Sequence, residues 1–287
     1  TGFRGVFCGA VNNFCGSPKL TEEHYVKLNS LSPLISYKLG FHAEYTTSLE
    51  IMEQIAALAQ KYHAPVWCHN SETKSETEGC ISRYGKTPTE LMESIGMFEY
   101  GGGGYHCVYF TENDMDIFRR HNMTAVTNPA SNSKLASGIA DISSLMSHGI
   151  NVAIGTDGAA SNNALDMFRE MYLCTVLQKL RYSDAAAMPA ENVLRAATLG
   201  GAKAMELDCG SIEAGKLADF AVVDMRRPSM QPENDIVKNL VFSGSKDIIR
   251  MTAVGGKILY ENGGFAGIVT EKLYHDCARI CERIFAK

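Results

Sequence analysis

No stretch of this sequence approaches the roughly 20 consecutive apolar residues that cross a bilayer, and the N-terminus lacks a charged-then-apolar signal pattern. Basic clusters are missing as well. Charged residues make up 21% of the chain and the formal net charge is −5, so nothing in it offers a footprint for a phosphate backbone or an anionic membrane. No Cys-x-x-Cys pair occurs among the nine cysteines, whose odd number argues against a closed disulfide framework. Several lie inside apolar runs, so they are expected to be small buried hydrophobes in a reducing compartment. What is present is a 287-residue chain with 45% hydrophobic content, enough for one large domain and a smaller appendage. The expectation is a soluble, cytoplasmic protein with no nucleic-acid or membrane partner.

Short apolar runs alternate with amphipathic stretches over the first two thirds. Strands are expected at residues 5–11, 34–41, 64–68, 105–108, 123–127 and 152–156, with helices between them at about 22–31, 48–61, from 87, from 111, and 139–147. Ile51, Ile55, Leu58 and Tyr62 recur at helical spacing. Thr87-Pro88-Thr89-Glu90 is a capping box with proline at the first helical position, carrying Leu91, Ile95 and Phe98 inward, and Thr111 with Asp114 repeats the device. Runs of nearly continuous apolar character suit strands buried on both faces, so a parallel α/β architecture is expected. An open doubly wound sheet is the runner-up, but it carries its glycine-rich loop after the first strand. Gly101 to Gly104 precede a strand instead and read as a flexible connection rather than a phosphate cradle.

Beyond Asp157 two helices are expected, at about 164–180 and 191–205. Short strands joined by turns follow at 210–224, then a hairpin at 249–260 around Gly255-Gly256 and a final helix at about 271–286. Cys277 and Cys281, four apart on that helix, are expected to pack against the core. Met52, Met92 and Met171 fall on or beside apolar helical stripes, and His24, His63, His121, His148 and His275 on helices or their ends, as surface or capping residues.

Three ionisable fragments close three of the apolar runs: His69-Asn70-Ser71-Glu72, His106 and Asp157. In a parallel barrel such strand ends open onto one face, so they would converge. Two imidazoles, a metal-binding carboxylate and a second carboxylate for proton transfer form most of a hydrolytic metal centre. Each residue also has a plainer reading alone. A histidine at a strand end can be purely structural, Glu72 can serve a helix start, and Asp157 can form a turn before Gly158.

The segments Asn128-Pro129-Ala130-Ser131-Asn132-Ser133-Lys134-Leu135 and Gly155-Thr156-Asp157-Gly158-Ala159-Ala160-Ser161-Asn162-Asn163, with His69-x-x-Glu72, resemble the amidohydrolase superfamily. Within it they are similar to the branch of methylthioadenosine and S-adenosylhomocysteine deaminases and chlorohydrolases. Gly215-Lys216-Leu217-Ala218-Asp219-Phe220 resembles the strand that returns to that family's small β-sandwich. The resemblance implies a (β/α)8 TIM barrel with one divalent metal ion, zinc first and iron second. It assigns His69, His106 and Asp157 to the metal, and catalysis to Glu72, His106 and Asp157. Asp157 would take a proton from water, and Glu72 would shuttle it to a ring nitrogen. His42, Asn128, Ser131 and Asn132 would contact an N-heterocyclic substrate, although the last three could instead satisfy their own loop. The chemistry fits, because a bound metal lowers the pKa of water towards about 7.

One departure matters. The family's first barrel strand ends in His-x-His, and no two of the eight histidines here stand two apart. The six β units correspond to strands three through eight, so the chain reads as the C-terminal portion of a longer enzyme. Residues 1–206 would form the barrel segment and 207–287 part of the sandwich plus a terminal helix. Members of the branch that hold a carboxylate-bearing tail carry an arginine near the end of the third strand, where this chain has Cys8-Gly9-Ala10-Val11-Asn12-Asn13. A purine or adenosine-like base with a small or neutral substituent is therefore expected rather than S-adenosylhomocysteine. A triazine chlorohydrolase, a non-haem iron oxygenase and a catalytically silent segment are the alternatives, and homo-oligomerisation is left open.

Overall fold

A computed structural model describes residues 1–286. Strand β1 (Gly5–Cys8) leads through helix α1 (Pro18–Leu28) to β2 (Ile35–Ala43), α2 (Leu49–Tyr62) and β3 (Val66–Asn70). Then come α3 (Lys74–Tyr84), α4 (Pro88–Ser94), β4 (Gly102–His106), α5 (Glu112–Arg120) and β5 (Thr124–Thr127). Helices α6 (Pro129–Lys134) and α7 (Ile142–Ser147) precede β6 (Asn151–Ile154). The six strands pair in parallel in sequence order, and the sheet curls into a half-barrel. Leu39, Val66, Cys68, Ala125 and Val152 are buried under the helices, while Trp67, Val126 and Ala153 pack together on the other face. Burial on both faces explains why these strands read as apolar runs rather than alternating ones.

Local chemistry sets the helices. The Ser48 side chain caps α2, which fully buries Met52, Ile55 and Ala59; each of the two larger side chains contributes roughly 1.5–3 kcal/mol. Both capping boxes form, at Thr87–Glu90 and Thr111–Asp114. Helix α1 starts four residues earlier than expected, because Ser17 caps it and Pro18 takes the first helical position.

The four-glycine run is not a flexible connection. Gly102, Gly103 and Gly104 lie within β4, paired with β3 on one side. A Cβ on Gly102 would stand 1.9 Å from the Val66 carbonyl oxygen, and one on Gly103 would stand 2.2 Å from the Trp67 ring. Glycine is required there by close packing rather than by mobility.

The second half continues with α8 (Ala159–Asn162), α9 (Met167–Tyr182) and α10 (Ala190–Arg195), then a π-turn over Ala196–Gly200 and α11 (Gly201–Met205). The single helix expected over 191–205 is thus interrupted. A four-stranded antiparallel sheet follows, ordered β10-β9-β8-β7. It comprises β7 (Phe220–Val223), β8 (Ile249–Val254), β9 (Lys257–Glu261) and β10 (Gly264–Phe265), with α12 (Ile236–Ser243) between the first two and α13 (Thr270–Phe285) last. Of the strands expected over 210–224, only β7 forms, and the glycines at 210 and 215 sit in left-handed turns. Cysteine burial is also corrected: Cys15, Cys277 and Cys281 are exposed, and α13 buries none of its residues.

Candidate active site

All candidate groups lie at or just beyond the C-terminal ends of parallel strands, which puts them at one end of the sheet. His42 and His69 are the penultimate residues of β2 and β3, His106 ends β4, Asn128 follows β5 and Asp157 lies just beyond β6. His69 pairs in register with Tyr105, so His106 lies one residue beyond its neighbour. A regular strand would turn His106 to the opposite face. Instead its φ is 72°, and its ring stacks on His69 with centroids 5.3 Å apart. Cys107, Ser71 and Asp157 are also left-handed, with φ of 49°, 52° and 61°. Such conformations cost of order 1–3 kcal/mol each and persist where the surroundings enforce them. Here the Cys107 N–H donates to the Asn70 carbonyl, and the Val108 and Tyr109 N–H groups donate to the Ser71 carbonyl.

Hydrogen bonds fix the imidazole protons. Nδ1 of His69 donates to the His42 carbonyl at 2.8 Å, since a carbonyl can only accept. Nδ1 of His106 donates to the Asn132 Oδ1 at 2.7 Å. The Thr46 hydroxyl gives its proton to the Ala43 carbonyl, so Nδ1 of His42 donates to it at 2.7 Å. With Nδ1 as the donor, a neutral ring carries its lone pair on Nε2, the arrangement of a metal-ligating histidine. Burial depresses the His69 pKa, with the neighbouring His106 and His42 adding to the effect against the opposing carbonyl bond. His69 is therefore neutral at pH 7.

The carboxylates are equally constrained. Burial pulls Asp157 upward, yet the Ser131 hydroxyl at 2.6 Å, the Gly158 N–H at 2.6 Å and the nearby His106 together hold it below the usual range. Glu72 Oε2 lies 3.7 Å from His106 Nε2, while its Oε1 accepts from the Ser137 hydroxyl at 2.8 Å. Among the described residues no three His, Cys, Asp or Glu side chains stand as a ready metal cluster. The donor chemistry nonetheless fits a divalent ion of the zinc type, with lone-pair imidazoles and an ionised carboxylate.

Asn132 and Ser131, expected at the substrate, spend polar atoms on His106 and Asp157. The Asn128 amide nitrogen stands 3.5 Å from His106 Nδ1, and all three residues are buried. Three further residues escaped the sequence reading. Ser137 gave no signal. Glu76 accepts from the N–H groups of Ser71, Glu72 and Thr73, and the Thr73-x-x-Glu76 capping box could have found it. Buried Glu170 accepts from the Ala130 N–H and the Asn162 amide, clamping the loops after β5 and β6 together. Arg4 is committed elsewhere, to Asp219 and the Pro33 carbonyl.

A model of the amidohydrolase family matches residues 15–259. This chain belongs to the amidohydrolase family. A 5-methylthioadenosine/S-adenosylhomocysteine deaminase of Clostridium tetani is 40% identical over 88% of the chain and 60% of its own length. One of Pyrococcus furiosus is 38% identical over 92% of the chain and 63% of its own length. The chain thus spans about three fifths of the curated relatives it matches. A zinc-bound adenosine deaminase structure from Xanthomonas campestris superposes with a TM-score of 0.94 at 30% identity, covering 100% of this chain and 67% of its own. An atrazine chlorohydrolase structure from Arthrobacter aurescens shares the fold, with a TM-score of 0.84 at 22% identity over 97% of this chain and 66% of its own.

Proposed function

We propose that this amidohydrolase segment carries the acid–base machinery of a metal-dependent hydrolytic deaminase that releases ammonia from a purine or adenosine-like ring. The observation behind it is Glu72, a carboxylate anchored by Ser137 beside a lone-pair imidazole nitrogen of His106. His69, His106 and Asp157 would hold the divalent ion. That ion, zinc as in the Xanthomonas neighbour or iron, supplies the Lewis acidity that makes water nucleophilic at neutral pH.

Asp157, ionised and fixed by Ser131, accepts a proton from water as its oxygen attacks the amidine carbon. Glu72 relays that proton from Asp157 to the adjacent ring nitrogen, so the tetrahedral centre forms without a full negative charge on the ring. The hydroxyl proton of that centre then passes through Asp157 to the amino group, so the C–N bond breaks as the carbonyl forms and ammonia leaves. His42 would meet the heterocycle, while Asn132 and Ser131 orient His106 and Asp157. The engagement of Arg4 with Asp219 supports a substrate without a carboxylate tail.

The test is ammonia release by the zinc-supplemented chain across adenosine, methylthioadenosine, S-adenosylhomocysteine, guanine and triazines, with metal content measured alongside. Turnover of the neutral adenosine-like compounds, abolished in Glu72→Gln with zinc retained, is the expected result. Release from S-adenosylhomocysteine alone overturns the substrate assignment, and release from no compound overturns the activity. A second reading, a segment silent without a His-x-His pair, is favoured by the lack of a ready three-ligand cluster among the described residues. It expects a zinc content near zero, against about one ion per chain for the first.

A further inference from the structure

Helix α13 is a 16-residue helix with no buried residue. Leu273, Cys277, Ile280 and Ile284 follow a four-three-four spacing, so they form one apolar stripe of two heptads. Leu273, Ile280 and Ile284 are 47%, 48% and 67% exposed. Tyr274 and Cys281 extend the apolar face along one flank, and Asp276 and Arg283 line the other. Among the described residues nothing covers this face, and an exposed apolar patch of this kind marks a binding surface.

We infer that α13 pairs antiparallel with α13 of a second copy of this chain, forming an isologous dimer. The charges select this occupant. In the antiparallel register that stacks Leu273 on Ile284 of the second copy, and Cys277 on its Ile280, the flanking position of Asp276 meets that of Arg283 from the other helix. Two-fold symmetry makes this contact twice. A parallel pair would set Asp276 against Cys281 and leave both charges without a counterpart.

Asp276 has only exposed partners within its own helix, Lys272 at 3.0 Å, Arg279 at 3.4 Å and His275 at 3.9 Å. Arg283 has no ion-pair partner among the described residues. The same pattern disfavours a membrane surface: Lys272, Arg279 and Arg283 are balanced by Glu271, Asp276 and Glu282, whereas interfacial helices carry a cationic polar face. An antiparallel pairing also sets the two bodies at opposite ends of a helix about 24 Å long, which keeps them apart.

Sedimentation equilibrium of the full chain under reducing conditions tests the assignment. A dimer is expected, in equilibrium with monomer because so short a seam is marginal. Leu273→Glu with Ile280→Glu should give a monomer, and an unchanged circular dichroism spectrum and thermal midpoint will show that the body still folds. Asp276→Arg alone and Arg283→Asp alone should each weaken the dimer about tenfold, and the two together should restore it to within about threefold. A chain that stays monomeric to about 200 μM overturns the inference, as does one that floats with anionic vesicles as a monomer. A dimer indifferent to Leu273→Glu with Ile280→Glu also overturns it. Charge reversals that fail to rescue each other overturn the antiparallel register.

Discussion

Replacing Gly103 with alanine should damage the half-barrel. The added Cβ would lie 2.2 and 2.6 Å from two atoms of the Trp67 ring and 2.6 Å from the Thr124 carbonyl oxygen. Ordinary contacts begin near 3.4 Å, so β4 must move by about 1 Å away from neighbours on both sides. One neighbour is backbone and cannot rotate aside. Overpacking of this kind costs typically 1–3 kcal/mol, and the backbone contact puts Gly103→Ala at the upper end, about 3 kcal/mol. For a chain of this size that lowers the thermal midpoint by about 5–10 °C. Because β3 carries His69 and β4 carries His106, the same shift would separate two rings whose centroids now stand 5.3 Å apart. Trp67 is the only tryptophan, so urea unfolding followed by its fluorescence reports on the stressed contact itself. Gly201→Ala is the matched control: its φ is −63° and an added Cβ meets nothing within 4 Å. That change should stabilise the fold by about 0.5 kcal/mol. If Gly103→Ala unfolds within about 0.5 kcal/mol of the parent and its emission spectrum is unchanged, the close-packing account of the glycine run is wrong.

Removing the Asn132 amide as Asn132→Ala frees His106 Nδ1 from its partner, and zinc affinity by competition with a chromogenic chelator should fall about 10–100-fold; unchanged affinity would deny Asn132 its orienting role. Glu76→Ala strips three backbone N–H groups of their acceptor at the loop carrying Glu72, and should cost about 2–3 kcal/mol in denaturant unfolding. Burial raises the Glu76 pKa, so its ionisation opposes folding; the parent loses that share of stability as pH rises through the folded pKa, and Glu76→Gln should lose this slope. The Arg4 guanidinium, assisted by the Gly255 N–H and opposed by partial burial, holds the Asp219 carboxyl below the usual carboxylate range. With the folded pKa below the unfolded value of about 3.9, the pair stabilises fully above pH 4 and is lost as pH falls through the depressed value. Arg4→Gln should flatten that acid limb in thermal melts between about pH 2 and 4; an unaltered limb would show the ion pair adds nothing.

Much of the half-barrel was legible because its signals are local. Apolar runs, the two Thr-initiated capping boxes and the turn at Gly255-Gly256 act through neighbours a few residues away, and the strands and helices appeared close to where those signals put them. The Gly101–Gly104 run misled because nothing in its own chemistry announces the Val66 carbonyl or the Trp67 ring pressing from β3. Cys277 and Cys281 misled for the opposite reason: helical amphipathicity says that a face wants cover, not that the fold supplies it.

The sequence by itself determined the family, the parallel order of β1 to β6 and the identity of the chemical groups at the strand ends, since residue type, spacing and chain order suffice for these. Only the tertiary structure decided how those groups are held. The left-handed turn at His106 brings its ring onto His69, Ser137 reaches across 65 positions to Glu72, and Asn132 and Ser131 turn to His106 and Asp157. Each of those contacts joins segments far apart in the chain, and a hydrogen bond depends on distance and direction in space, which no linear spacing encodes.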